Sequence, residues 1–301
     1  VDTRQILIGT SGFHYPGPPP KGWCGAFYPD KASQLDQLGY YSQIFNTVEI
    51  NSSFYGPPSE KTAAAWAAKT PADFTFAVKL WQKFTHPKKV NQGRSSGTWE
   101  PVTQADIDLV RAGLQPLLDS GKLGILLLQY PAGFTFTPEN ADQMERTLSL
   151  FPECSKTVEL RHKSWSDRTE ETNALLTRNE STWVLIDEPK FASSVSQKFE
   201  PIGNLLYFRA HGRNARQWWN HKEAWERYDY FYSRDEIKKM AEKITTGAGR
   251  PNVQKAFAFF NNHARANAAA NAIMLSQEMG ARLKAMPPEA MLLKFPQLAM
   301  R

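Results

Sequence analysis

The chain carries a series of short apolar runs that each close on a polar or charged residue, spaced as alternating strands and helices require. In order they are Ile6 to Gly9 into Thr10 and Ser11, Thr47 to Ile50 into Asn51, Phe74 to Val78 into Lys79, and Gly124 to Leu128 into Gln129. There follow Thr157 to Leu160 into Arg161, Trp183 to Ile186 into Asp187, Leu205 to Phe208 into Arg209 and His211, and Phe257 to Phe260 into Asn261, Asn262 and His263. Most of the intervening segments carry helix punctuation. Ser59 precedes Glu60 to Lys69, Thr103 stands three before Asp106, Pro138 suits a first helical turn, and Ser233 with Glu236 forms a capping-box pattern. The segment Glu188 to Pro201 has two prolines and a Ser-rich patch, which predicts a loop or a distorted helix there. The pattern predicts an α/β fold: a single (β/α)8 TIM-type barrel over residues 1–301, with long loops on its C-terminal face and an irregular or missing helix between strands 6 and 7.

Strand alternation then places side chains. Thr47, Glu49 and Asn51 share one face and Val48 and Ile50 the other; Thr157, Glu159 and Arg161 oppose Val158 and Leu160. With the apolar set turned toward the helices, Glu49, Asn51, Glu159 and Arg161 point inward near the C-terminal mouth. The same parity adds Lys79, Gln129, Asp187, Arg209, His211, Asn261 and His263. Buried charges are costly unless paired, so this ring is either a functional site or a set of ion pairs that only closes the barrel.

Composition sets the class. The 301 residues are 41% hydrophobic and 22% charged, ordinary for a globular protein with a large core. There is no apolar run of about 18 residues, so no membrane association is expected. The opening Val1-Asp2-Thr3-Arg4 lacks a signal-peptide pattern, and Cys24 and Cys154 lack metal or redox spacing, which together predict reduced thiols in the cytoplasm. The net charge of +6 suggests anionic partners only weakly.

Bases and aromatics coincide twice: Trp81, Lys83, Phe84, His86, Lys88 and Lys89 after the third run, and Arg213, Arg216, Trp218, Trp219, His221, Lys222 and Trp225 after the seventh. That mixture suits stacked bases and phosphates, Trp218 being a candidate platform, and it equally suits an amphipathic cover over the barrel mouth.

Ile8-Gly9-Thr10-Ser11-Gly12-Phe13, Phe27-Tyr28-Pro29 and Phe45 to Tyr55 resemble blocks of the bacterial and archaeal family called domain of unknown function 72, or YecE-like. Thr70-Pro71, Gln129-Tyr130-Pro131, Val158 to His162 with Ser164-Trp165, Tyr207 to Arg213 and Phe260 to His263 continue the likeness along essentially the whole chain. Phe13 stands where the family pattern has Trp, and the Pro16 to Pro20 insert is long, so the shape of the first loop departs from the pattern. The resemblance implies a TIM-type barrel and no established reaction. The family's loose grouping with endonuclease IV and xylose isomerase barrels is a fold-level analogy that transfers no catalytic residue.

Three readings follow. The leading one is a metal-assisted hydrolase of a phosphodiester or nucleic acid, with Zn or Mn held by Glu49, Glu159, Asp187, His211 and His263. The second drops the metal: Lys79, Arg161 and Arg209 bind a small phosphate, carboxylate or sulfonate, and Glu49 and Glu159 supply acid and base with Asp187, His211 and Lys79 beside them. Thr10, Ser11, Asn51, Gln129, Asn261 and Asn262 would then orient polar groups. Glycoside hydrolysis is a weaker variant, since common glycosidase barrels use the fourth and seventh strands and here the fourth ends in Gln129. The third is a non-catalytic nucleotide or nucleic-acid binding module. Gly9-Thr10-Ser11-Gly12 lacks the Lys-Ser/Thr ending of a phosphate loop.

Overall fold

The computed structural model describes residues 6–30, 35–88, 98–281 and 283–299. Val1 to Arg4 and Lys89 lie outside that set. The described strands are β1 (Ile6–Thr10), β2 (Thr47–Ile50), β3 (Thr75–Lys79), β4 (Leu123–Gln129), β5 (Lys156–Glu159), β6 (Ser181–Trp183), β7 (Leu185–Asp187), β8 (Leu205–Ala210) and β9 (Lys255–Phe260). They form two sheets, one ordered β1-β9-β8-β7 and the other β2-β3-β4-β5-β6. Every ladder is parallel. Parallel strands are covered on both faces, which is why β4 and β9 read as unbroken apolar runs, Ile125 to Leu128 and Ala256 to Phe260, all buried.

Helices begin where the caps direct. Ser59 accepts from Thr62 N ahead of Glu60–Ala68, and Thr137 accepts from Asn140 N with Pro138 in the first turn of Pro138–Ser149. Thr103 with Asp106 and Ser233 with Glu236 make complete capping boxes for Gln104–Asp119 and Arg234–Ala248. The last long helix runs Asn267–Glu278 and ends just before Gly280, which takes a positive φ of 64°. Among the described residues no helix is long and apolar enough to cross a membrane. Cys24 and Cys154 are buried and free, and burial pushes the Cys154 thiol up to about 11.

Two junctions join the sheets. Between β1 and β2 the contact is a single bridge, Ser11 to Glu49, with Gly12 N donating to Glu49 O at 2.7 Å. The Tyr41 hydroxyl stands in for the missing ladder: Thr10 N donates to it at 2.9 Å, and it donates to Thr47 O at 3.0 Å. A Cβ on Gly9 would lie 2.3 Å from Thr47 O, so only glycine permits this approach. The second junction is one continuous run of chain, β6 and β7, broken at Val184. Gln197 repairs the break by accepting from Ile186 N at 3.3 Å and donating to Val184 O at 2.8 Å.

Residues 188–204 carry no helix. Glu188 precedes Pro189 and Glu200 precedes Pro201, and a residue before proline is driven out of the helical region. A cavity of about 670 Å³ remains against β7 and β8, floored by Leu185, Phe199, Phe208 and Met240.

Side chains from both sheets meet in the interior. The Phe257 ring on β9 lies against Gly124 on β4, where an added Cβ would stand 3.1 Å away. One level up, Tyr207 packs on Phe257 and Phe259 with centroids 5.8 and 5.3 Å away. Truncating so enclosed a phenylalanine to Ala costs about 3–5 kcal/mol. Above this aromatic layer the interior turns polar.

Candidate functional site at the C-terminal ends of the strands

β2, β5 and β8 are not neighbours in either sheet, yet their inward residues touch. Arg209 on β8 donates to Glu49 Oε1 on β2 at 2.6 Å, to Glu159 Oε2 on β5, and to Gln129 Oε1 on β4 at 3.0 Å. Tyr207, two residues earlier on the same face of β8, donates to Glu49 Oε2 at 2.7 Å. Arg161 closes the far side through Nε to Glu159 Oε1 at 2.6 Å. Glu49, Glu159 and Tyr207 are fully buried and Arg209 is 1% exposed, so each charge depends on its partners.

The electrostatics follow from that enclosure. Burial drives the Glu159 carboxyl upward, but Arg161 and Arg209 outweigh it and hold the group well below the usual carboxylate range. Arg209 is pushed further up by Glu159 and Glu49 in spite of its burial. His211 sits beside them with Nε2 3.1 Å from Arg161 and 3.4 Å from Glu159 Oε2. Burial, aided by Arg161 and Arg209 and opposed by Glu159, lowers its imidazole to about 3, so it is neutral. If Nε2 accepts from Arg161, the ring proton is on Nδ1, 3.0 Å from the Asn261 amide, whose oxygen is the atom able to accept it.

Two ionisable groups are left out of this network. Lys79 Nζ, at the end of β3, lies 3.9 Å from the centroid of the Phe54 ring. Among the described residues it has no hydrogen bond or salt bridge. Burial, then Arg209 and Arg161, lower its ammonium to about 7 against the pull of Glu159 and Glu49. Glu188 reaches the other side of Arg161, Oε2 to NH1 at 3.4 Å, and that oxygen has no hydrogen bond among the described residues. Burial raises its carboxyl above the normal value even though Arg161 opposes the shift. Other buried oxygens lack a partner among the described residues, among them Ser11 Oγ, Asn262 Oδ1, and Oδ1 of Asn51, whose Nδ2 donates to Ser11 O at 3.3 Å. In native structures such atoms are usually met by a water or a ligand atom.

The remaining sequence candidates lie elsewhere. Asp187 does not join the ring. It accepts two bonds from Arg213 at 2.8 and 2.7 Å and one from Tyr232 at 2.8 Å. Asp187 is the last residue of the three-residue β7, paired with Ala210, and the next residue, Glu188, is the acid that reaches Arg161. His263 belongs to an aromatic stack, 5.1 Å from Tyr15 and 5.2 Å from Tyr228, and burial lowers it to about 4. Asn262 bonds Tyr230 O and Asn271, both at 2.8 Å, and the Thr10 hydroxyl bonds Gly12 O at 2.7 Å, so both hold the backbone together. Trp218 is 2% exposed beneath Arg227, a packing residue with no face offered to a base.

The metal ligand set does not assemble. Among the described residues no three His, Cys, Asp or Glu side chains converge to hold an ion. The candidate ligands are already engaged: Glu49 and Glu159 accept from Arg209, Arg161 and Tyr207, Asp187 accepts from Arg213 and Tyr232, and His263 is stacked among rings. Part of the basic rim is also neutralised. Lys83 pairs with Asp106 at 2.7 Å, Lys88 with Glu100 at 2.9 Å, and Arg213 with Asp187 and Glu236.

A family model described as "Protein of unknown function DUF72" matches residues 7–293. The chain belongs to the DUF72 family. It is 26% identical over 278 residues to the UPF0759 protein YunF of Bacillus subtilis (strain 168), covering 89% of this chain and 92% of that one. A DUF72 family crystal structure from Thermotoga maritima MSB8 superposes with a TM-score of 0.76 at 31% identity, covering 91% of this chain and 99% of that one. A second, from Enterococcus faecalis V583, also gives 0.76, at 24% identity over 92% and 96% of the two chains. These likenesses establish the DUF72 fold and carry no activity with them.

Sequence reasoning did not single out Tyr207, Glu188 or Phe54 as site residues. Tyr207 was within reach, since it shares the inward parity of Arg209. The Glu188-Pro189 step after so short a strand was a faint signal for Glu188, and nothing local marks Phe54.

Proposed function

We propose that this chain is a single-domain, closed (β/α)8 barrel, with β6 and β7 counted as one interrupted strand, and that its C-terminal mouth is the active site of an enzyme. The reaction we assign is metal-independent acid–base chemistry on a small anionic substrate. Lys79 is the proton-transfer group, poised by a value of about 7 to gain and lose its proton under ordinary conditions. Arg161, whose side chain keeps 11% exposure, anchors the anion, while Glu188 on its other side holds a carboxyl of raised affinity for protons. Ser11 and Asn51 orient the substrate through their unpartnered oxygens. The observation that carries this reading is the ammonium of Lys79, enclosed yet unclaimed by the carboxylates around it. The free thiols of Cys24 and Cys154 fit a reducing, cytoplasmic setting.

The metal-assisted phosphodiester reading is the weaker one, because its carboxylates are held by arginines and its rim cations by acids. The test is thermal unfolding in the presence of inorganic phosphate, sulfate, malonate or glyoxylate, with Zn²⁺ and Mn²⁺ as separate arms, on wild type and Lys79→Met. An anion at a hundredfold its Kd stabilises the native state by about 2.7 kcal/mol. A shift in the wild type that vanishes in Lys79→Met supports the assignment. An equal shift in both proteins, or stabilisation by the metals alone, overturns it.

A further inference from the structure

Lys79 has a second chemical capacity. An ammonium buried beside carboxylates is ordinarily captured by them, and here it is not, since Arg209, Arg161 and Tyr207 take the oxygens of Glu49 and Glu159. The Phe54 ring closes one side of Nζ, and neutral His86 stands edge-on to the same ring at 4.9 Å, lowered to about 4 by burial and by Lys79 and Arg161. The charges that act on Nζ are therefore Arg209, Arg161, Glu159 and Glu49. Lys79 retains 8% exposure, so the amine is enclosed but reachable from the mouth. An amine with no hydrogen-bond partner among the described residues, within electrostatic range of an Arg161 side chain that keeps 11% exposure, is a nucleophile placed near an anion anchor.

We propose that Lys79 captures a small carbonyl compound carrying a carboxylate or phosphate, such as a 2-oxo acid or an anionic aldehyde, as an imine on Nζ. The proposal rests on the mouth being the reactive site. The Nζ lone pair forms a bond to the carbonyl carbon as the C=O π pair moves to oxygen and takes a proton. The resulting carbinolamine loses its hydroxyl, with a proton from Nζ, as water, and the nitrogen is left doubly bonded to carbon as a cationic iminium. Arg161 holds the anionic group while this occurs, and the positive iminium lies over Phe54 with Glu49 and Glu159 within electrostatic range.

The experiment is reductive trapping of the intact protein with glyoxylate and cyanoborohydride at neutral pH, followed by peptide mapping. Lys79 should acquire one reduced adduct about two orders of magnitude faster than the exposed Lys61. The rate should rise with pH through about 7 and level off above it. Lys79→Arg, which keeps the cation and lacks the nucleophile, should lose the fast phase while melting as a folded protein. An adduct distribution that follows exposure, with Lys79 no faster than Lys61, overturns the imine, even where the anion panel shows binding and the acid–base reading stands. Fast modification of Lys79 without stabilisation by any anion would keep the imine and sink the anion-anchor reading.

Discussion

Arg209 donates to Glu159 from the opposite sheet, and with its bond to Glu49 at 2.6 Å it ties β8 to both β2 and β5 through the interior. The network serves two ends at once. It holds the two sheets in register, and by consuming the carboxylates it leaves Lys79 without a counter-ion.

Removing the centre of that network should be severe. Arg209→Met removes the cation that the buried Glu49 and Glu159 share, and losing one partner of a buried pair costs roughly 3–5 kcal/mol. Urea unfolding should show that loss; a change below about 1 kcal/mol would mean the charges contribute little to holding the sheets.

Lys79→Met should behave in the opposite way. The buried ammonium has no ion pair to lose, so stability at neutral pH should be unchanged or higher while anion binding disappears, the usual signature of a residue kept for function. Marked destabilisation in the same urea series would return Lys79 to a structural role.

Asp187 and Glu188 should separate cleanly. Asp187→Asn weakens the clamp on Arg213 and Tyr232 and should cost about 1–3 kcal/mol with anion binding intact. Glu188→Gln should alter anion binding and its pH profile with little effect on stability, because its Oε2 makes no hydrogen bond among the described residues. The reverse pattern in calorimetric titration would restore Asp187 to the site.

Acid should unfold the protein early. His211 is held to about 3 and His263 to about 4, whereas in the unfolded chain both titrate near 6.5. Below 6.5 the unfolded state therefore binds protons that the folded state refuses, and stability falls as pH drops from there toward the folded values. Protonation of Glu159, whose folded value lies well below the carboxylate range, extends the loss on the acid side of its ordinary 4.5. His211→Gln should flatten the slope of melting temperature against pH between 6.5 and about 4, and an unchanged slope would place the linkage elsewhere.

The sequence by itself determined which stretches become strands, where helices start, and which faces of β2, β5 and β8 turn inward. Those properties are local: apolar runs, caps and a period of two are legible wherever backbone geometry alone decides them. Glu49, Glu159 and Arg209 lie within laddered strands, which fixes their common face, whereas Arg161 lies two residues past the end of β5 and reaches Glu159 from there. Only the tertiary structure decided the rest. The ladders end at Asp187 and Phe260: Asp187, on the last rung of β7, is taken by Arg213 and Tyr232, His263 lies past the end of β9 among aromatic rings, and Glu188 reaches Arg161 instead. Which acid pairs with which arginine, and hence which lysine is left unpaired over Phe54, depends on contacts between residues up to 160 positions apart. Such contacts leave no local pattern, because they are set by how two sheets close on one another.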